Sequence, residues 1–60
     1  MTNAQITLQQ CEKALQEGKL NSWETRFVQD ILQRFGYDKK ALRNLSRNQY
    51  ITLCKIAEKA

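Results

Sequence analysis

The chain has 60 residues, an apolar content of 42% and a net charge of +4. This length allows one domain at most, and the apolar content argues against a wholly disordered chain. Histidine is absent and there are only two cysteines, too few ligands for a tetrahedral zinc site and no framework of disulfides. We therefore expect one small domain without a metal or a cofactor.

The first five residues lack a basic segment followed by an apolar one, so no signal peptide is predicted. Uninterrupted apolar runs are at most two residues long, so no membrane span is predicted. Two free cysteines and no export signal favour a cytoplasmic location.

The first predicted helix runs from about residue 3 to residue 17, where Gly18 is placed to end it in a left-handed conformation. Its apolar residues follow helical spacing: Leu8, Cys11 and Leu15, with Ile6 and Ala14 alongside. Because this apolar face is narrow, the stability of the first helix is expected to depend on packing against the other two helices.

The second predicted helix has the clearest pattern. Asn21 or Ser22 can cap it, Asn21 with Glu24 approximates a capping box, and Gly36 closes it. Large apolar residues recur along one side of the helix: Trp23, Phe27, Val28, Ile31, Leu32 and Phe35. We predict that this helix forms the spine of the core and that Trp23 is a core anchor, with a role as an interface contact as the alternative.

The third predicted helix opens with the Ser-x-x-Gln capping box of Ser46 and Gln49 and extends to Lys59. Leu45 is placed to pack on Tyr50 as a hydrophobic staple. The predicted inward residues are Tyr50, Leu53, Cys54 and Ala57, with Ile51 and Ile56 at the edges. Both cysteines lie on apolar stripes, so both are interpreted as core thiols.

In the connection between the second and third helices, Asp38 can cap a short helical turn through Leu42. Leu42 and Leu45 are expected to pack this connection against the core. The fold class predicted from these elements is all-α: a compact three-helix domain with an extra short helical turn before the last helix.

Positive charge is concentrated in the second half of the chain. Residues 31–60 carry seven cations and two carboxylates, whereas residues 1–30 carry three cations and four carboxylates. Such asymmetry points to a polyanionic partner. The predicted nucleic-acid-binding residues are Arg34, Tyr37, Lys39, Lys40, Arg43 and Arg47, with the cations on phosphates and Tyr37 stacked on an unpaired base. The free backbone N–H groups at the start of the third helix are a further candidate for a phosphate.

Other interpretations of these residues stay open at this stage. The basic stretch is also typical of a solvated loop, or of a protein-interaction module that docks on an acidic protein surface. The contact of such a module could instead be apolar, through the first helix. A weak homodimer is a third hypothesis, which rests on the small chain and the thin apolar face of the first helix. No catalytic arrangement is present in the sequence, because the commonest neutral-pH base is missing and the carboxylates are scattered. The leading hypothesis is a non-catalytic accessory protein that binds single-stranded or duplex nucleic acid with little sequence preference.

Residues of about 20–58 carry one resemblance. The pattern is Ser22-Trp23-Glu24-x-x-Phe27-Val28-x-Asp30-Ile31 followed by Leu45-Ser46-x-x-Gln49-x-x-x-Leu53-x-x-Ile56. It resembles a short helical module of phage-encoded proteins, of the kind encoded beside the T4-type recombination and repair helicase of the UvsW class. The resemblance implies a compact helical fold and a setting in phage or mobile-element nucleic-acid metabolism, and it assigns no site residues.

Overall fold

The structure, a computed structural model, describes residues 2–60. Over this range the chain folds into four helices: α1 (Asn3–Gln16), α2 (Ser22–Arg34), α3 (Lys39–Leu42) and α4 (Arg47–Ala57). Three main helices and a one-turn helix before the last of them confirm the predicted all-α fold.

Each of the three long helices begins with a complete capping box. In each box the N-cap side chain accepts the backbone N–H three residues on, and the side chain there accepts the N-cap N–H in return. The pairs are Thr2 with Gln5, Asn21 with Glu24, and Ser46 with Gln49. The second and third pairs confirm the predictions, whereas the sequence-based interpretation missed the same Thr-x-x-Gln signature at Thr2.

Gly18 ends α1 as predicted, with a φ of +72° that a side chain with a Cβ adopts only under strain. The Gly18 N–H donates to the Leu15 carbonyl, and the Lys19 N–H donates to the Ala14 carbonyl. These two bonds form a Schellman motif, which satisfies carbonyls that the end of the helix leaves open. The chain then turns within a few residues to start α2.

The first helix, and not the second, is the centre of the packing. α1 packs against α2, α3 and α4, while the other helices contact one another much less. Leu8, Cys11 and Ala14 of α1 are fully buried. The prediction that α2 forms the spine is wrong, because α1 contacts all three other helices through one buried stripe.

The relative directions of the helices follow from their contacts. Ala4 near the start of α1 and Tyr50 near the start of α4 line the same cleft, so these two helices run in the same direction. Further along, the Cys11 thiol donates to the Leu53 carbonyl over 3.1 Å. α2 runs the opposite way, since Tyr37 beyond its end contacts Gln5 in the first turn of α1. One end of the bundle therefore gathers the starts of α1 and α4, the end of α2, and α3.

Trp23 and Cys54, both predicted to be buried, are exposed, and so are Ile6 and Ile51, which were predicted at the edges of their apolar faces. On α2 the inner positions belong to Val28 and Ile31, and one turn before Val28 the same face holds Glu24 of the capping box. Trp23 lies about 100° around the helix from Glu24 and so falls outside the packed face. On α4 the buried residues are Leu53 and Ile56, which place Cys54 towards solvent in the same way.

The last helix ends at Ala57, two residues before the predicted end at Lys59. The final N–H groups form tight bonds three residues back, from Lys59 to Ile56 and from Ala60 to Ala57. The Lys59 side chain instead reaches Glu24 at the start of α2, with an Nζ–Oε1 distance of 2.6 Å. Hydrogen bonds from the Lys59 side chain and from the Asn21 N–H lower the pKa of Glu24. The Lys59–Glu24 ion pair joins the end of α4 to the start of α2.

The two thiols are expected to differ sharply in reactivity. Burial, with a further contribution from nearby Cys54, raises the pKa of Cys11 to about 11, whereas Cys54 is exposed. Because the thiolate is the reactive species, a disulfide reagent at neutral pH should modify the exposed Cys54 quickly. The same reagent should modify the buried Cys11 only after denaturation. Cys54→Ser should abolish the fast reaction, and a fast reaction that survives this substitution would contradict the packing described here.

Candidate functional site

The basic residues singled out from the sequence lie at one end of the bundle. We call this set the basic connection: Arg34, Lys39, Lys40, Arg43 and Arg47. Arg34 is the last residue of α2, and Arg47 is the first residue of α4. α3 lies between them and packs on α1, which places all five cations at the end where α1 and α4 begin.

The short helix α3 is held by one cap and one buried side chain. The Asp38 carboxylate accepts the Lys40 backbone N–H over 2.9 Å, as the sequence predicts. Leu42 is buried and Leu45 packs partly against the same core. This anchoring fixes the backbone of the connection and leaves Lys39, Lys40 and Arg43 exposed on it.

A cleft of about 360 Å³ opens between α3, the start of α1 and the start of α4. Lys39 and Arg43, four residues apart and so on the same side of the chain, both line it. Its apolar wall is formed by Ala4, Leu42, Leu45 and Tyr50. The cleft therefore combines two cationic side chains with an apolar wall.

Within residues 2–60, four of the five cations have no ion-pair partner: Lys39, Lys40, Arg43 and Arg47. Arg34 pairs with Asp30 on its own helix, at 3.0 Å between Nε and Oδ1. Both side chains of that pair are at least half exposed, so the pair holds Arg34 only weakly. The carboxylates of α1 and of the residue that follows it are engaged elsewhere, Glu12 with Tyr37 and Glu17 with Lys19.

Tyr37 is bound to α1 at both of its ends. Its hydroxyl donates to Glu12 Oε1 over 2.9 Å, and its carbonyl accepts from Gln5 Nε2 over 2.8 Å. The ring is half-buried against the core. This geometry leaves little physical basis for stacking of Tyr37 on a base. Its role in the structure is to fasten the start of the connection to α1.

Removing the Tyr37 hydroxyl should destabilise the fold. Tyr37→Phe loses a hydrogen bond to a carboxylate in a half-buried setting, for which we expect a loss of about 1 kcal/mol in the free energy of unfolding. Tyr50→Phe is the matched control, since no protein group within the described residues bonds the Tyr50 hydroxyl. Urea unfolding of both variants measures the difference, and equal stabilities would remove the role assigned to the Tyr37–Glu12 bond.

The same contact has a consequence at alkaline pH. Burial in the first place, and then the Glu12 carboxylate, raise the pKa of Tyr37 to about 12. An ordinary tyrosine titrates near pH 10. The neutral phenol is thus favoured in the folded state, so the stabilisation is complete below about pH 10 and is lost as the pH rises towards 12.

The start of α4 offers few groups that could discriminate between bases. Gln49 is occupied by its capping box, where Oε1 accepts the Ser46 N–H over 2.9 Å. The Thr52 hydroxyl donates back to the Asn48 carbonyl over 2.8 Å. Arg47 and Asn48 are exposed, and within residues 2–60 their backbone N–H groups have no protein acceptor. This helix end therefore presents charge and amide donors rather than a set of aligned side-chain readers.

The fold and this site define a small all-α domain with a cationic end. Comparisons with known protein families, curated proteins and solved structures found no match. Among residues 2–60, no helix combines the length and apolarity needed to cross a membrane. Over the same range, no three His, Cys, Asp or Glu side chains are grouped so as to hold a metal ion.

Proposed function

We propose that this chain is a non-catalytic accessory protein that binds nucleic acid with little sequence preference through the basic connection. The observation that carries the proposal is four exposed cations without ion-pair partners, held on an anchored segment at one end of the bundle. Such cations neutralise phosphates and release the counterions condensed on the nucleic acid, which drives binding entropically.

Two further features support a polyanion as the ligand. The segment of residues 38–47 has four cations and one carboxylate, and that carboxylate is engaged as the cap of α3. In addition, α1 and α4 both begin at this end, and the first turn of a helix carries partial positive charge. Both features add to the positive potential of the cationic side chains.

Low sequence preference is proposed because phosphates, and not base edges, match the groups at this end. Phosphate contacts position a protein on nucleic acid without carrying sequence information. α3 is one turn long and Gln49 is occupied by its cap, so neither element supplies a row of side chains to a groove. Both single-stranded and duplex nucleic acid are therefore proposed ligands of the basic connection.

The test is a low-salt binding titration of labelled single-stranded and duplex DNA with matched charge variants. The triple variant Lys39→Glu, Lys40→Glu and Arg43→Glu should bind single strands about a hundredfold more weakly, because it removes about three phosphate contacts. The control triple Lys13→Glu, Lys19→Glu and Lys55→Glu has the same net charge and should keep most of the affinity.

The comparison of the two triples separates a localised site from a general charge effect. Equal losses in both variants would show that net charge alone drives binding and would remove the basic connection as a site. No binding of the unmodified protein at low ionic strength would remove the nucleic-acid proposal altogether.

A protein-interaction module is the second candidate, and the apolar wall of the cleft favours it. Lys39 and Arg43 beside Leu42 and Tyr50 match a segment that carries both carboxylates and apolar side chains. Under this candidate, substitution of the half-buried Tyr50 would weaken binding of such a segment while the nucleic-acid affinity stayed unchanged. For either candidate, a cytoplasmic location stays a prediction, and so does the setting in phage or mobile-element nucleic-acid metabolism that the resemblance of residues 20–58 implies.

A further inference from the structure

The outer face of α2 carries an exposed aromatic pair that the fold does not use. Trp23 is 62% exposed, more than any other large apolar residue among those described. Its ring stacks on Phe27 with 5.4 Å between centroids and 10° between planes. Because Phe27 covers one face of the indole, the other face is left as a flat apolar surface open to solvent.

We infer that the Trp23–Phe27 pair is a stacking platform for an unpaired base, so that the protein prefers single-stranded to duplex nucleic acid. The inference rests on the proposed function and assigns to it a second contact point. Aromatic stacking accepts every base, whereas the bases of a duplex are already stacked on one another and unavailable. The preference would therefore arise at Trp23 and not at the basic connection.

The groups around Trp23 match a nucleotide better than an apolar ligand. A shallow depression beside the aromatic pair is lined by Trp23, Phe27, Arg26, Gln29, Asp30 and Gln33. Within residues 2–60, Arg26 has no ion-pair partner and is free to meet a phosphate. The two glutamines carry both donors and acceptors, which suit the edges of any base. A purely apolar partner would make no use of these exposed polar groups.

The platform and the basic connection lie on one side of α2, with the exposed Asp30–Arg34 ion pair between them. Trp23, Phe27, Asp30 and Arg34 follow one another at helical spacing, and Arg34 belongs to the basic connection. Arg34 lies eleven positions after Trp23 on α2, which corresponds to about 16.5 Å at a rise of about 1.5 Å per residue. With about 3.4 Å per stacked nucleotide, a strand of roughly five nucleotides spans both points.

The single tryptophan makes the inference directly measurable, since all indole emission comes from the proposed platform. An oligothymidylate of roughly ten nucleotides should quench this emission at low salt, because stacking on a base quenches indole fluorescence. A duplex of equal length should bind at the basic connection and leave the emission nearly unchanged. Strands much shorter than about five nucleotides should not engage both points and should bind more weakly.

Trp23→Leu should weaken single-strand binding about tenfold and leave duplex binding unchanged, as measured by anisotropy of labelled DNA. Ile6→Ala, which alters an exposed apolar residue on α1, is the control and should change neither. Unchanged single-strand affinity in Trp23→Leu, or equal quenching by duplex, would overturn the platform while binding through the basic connection still stood. Emission that shifts with protein concentration alone would also overturn it, by showing that a second copy covers Trp23.

Discussion

Leu53→Ala is expected to leave a large share of the protein unfolded at room temperature. Leu53 is fully buried, and its carbonyl accepts the Cys11 thiol at the contact between α1 and α4. Truncation of a buried leucine costs about 2–5 kcal/mol through lost burial and the remaining cavity. A domain of this size has a total stability of about 3–9 kcal/mol, so this one change removes a large part of it.

Ile51→Ala is the matched control for this prediction, because it removes a similar apolar side chain from the same helix. Ile51 is 41% exposed, and its truncation should change the free energy of unfolding by less than about 0.5 kcal/mol. Thermal and urea unfolding followed by circular dichroism measure both variants. If Ile51→Ala were as damaging as Leu53→Ala, the assignment of the buried face of α4 would be wrong.

Binding to single strands is expected to weaken about a hundredfold when the salt concentration rises from about 50 to 200 mM. Five phosphate contacts from the basic connection predict a slope of about −3.5 for the logarithm of the association constant against that of salt. The charge sits on exposed side chains, so screening acts on it fully.

The same slope can be dissected residue by residue. Neutralising Lys39, Lys40 or Arg43 singly with glutamine should reduce its magnitude by about 0.7 each, because each variant releases one counterion fewer. Lys55→Gln on α4 should leave the slope unchanged. A slope near zero in the unmodified protein would mean that something other than phosphate charge drives binding.

The elements of the fold were predictable because their signals are local. Asn21 with Glu24, Ser46 with Gln49, and Asp38 each satisfy backbone groups within a few residues, so the sequence alone is enough to locate α2, α3 and α4. The cations of the basic connection were equally visible, since charge clustering needs no tertiary information. Their shared position at one end of the bundle required only the order of the helices.

Burial at the edges of the helices was not predictable in the same way. The apolar face of a helix is wider than the surface that a neighbouring helix buries. The sequence does not show which edge of that face is buried and which is left exposed. Trp23 on α2 and Cys54 on α4 both fall on the uncovered edge. In each case the residue next to them, Glu24 or Leu53, occupies the inner position.

Contacts between residues distant in sequence account for the remaining differences. Tyr37 and Glu12 are separated by 25 residues, and no spacing rule pairs them. That contact turns a residue predicted to stack on bases into one that holds the connection on α1. The aromatic surface left open is Trp23, which periodicity had assigned to the core.

Mapping of backbone amide signals by NMR, with labelled protein and a short single-stranded oligonucleotide, tests the central claim most directly. We expect perturbations concentrated in residues 38–47 and at Arg34, with a second group around Trp23 and Arg26. Perturbations confined to the outer surface of α4 beyond Asn48, or spread evenly over the molecule, would contradict a nucleic-acid site at the basic connection.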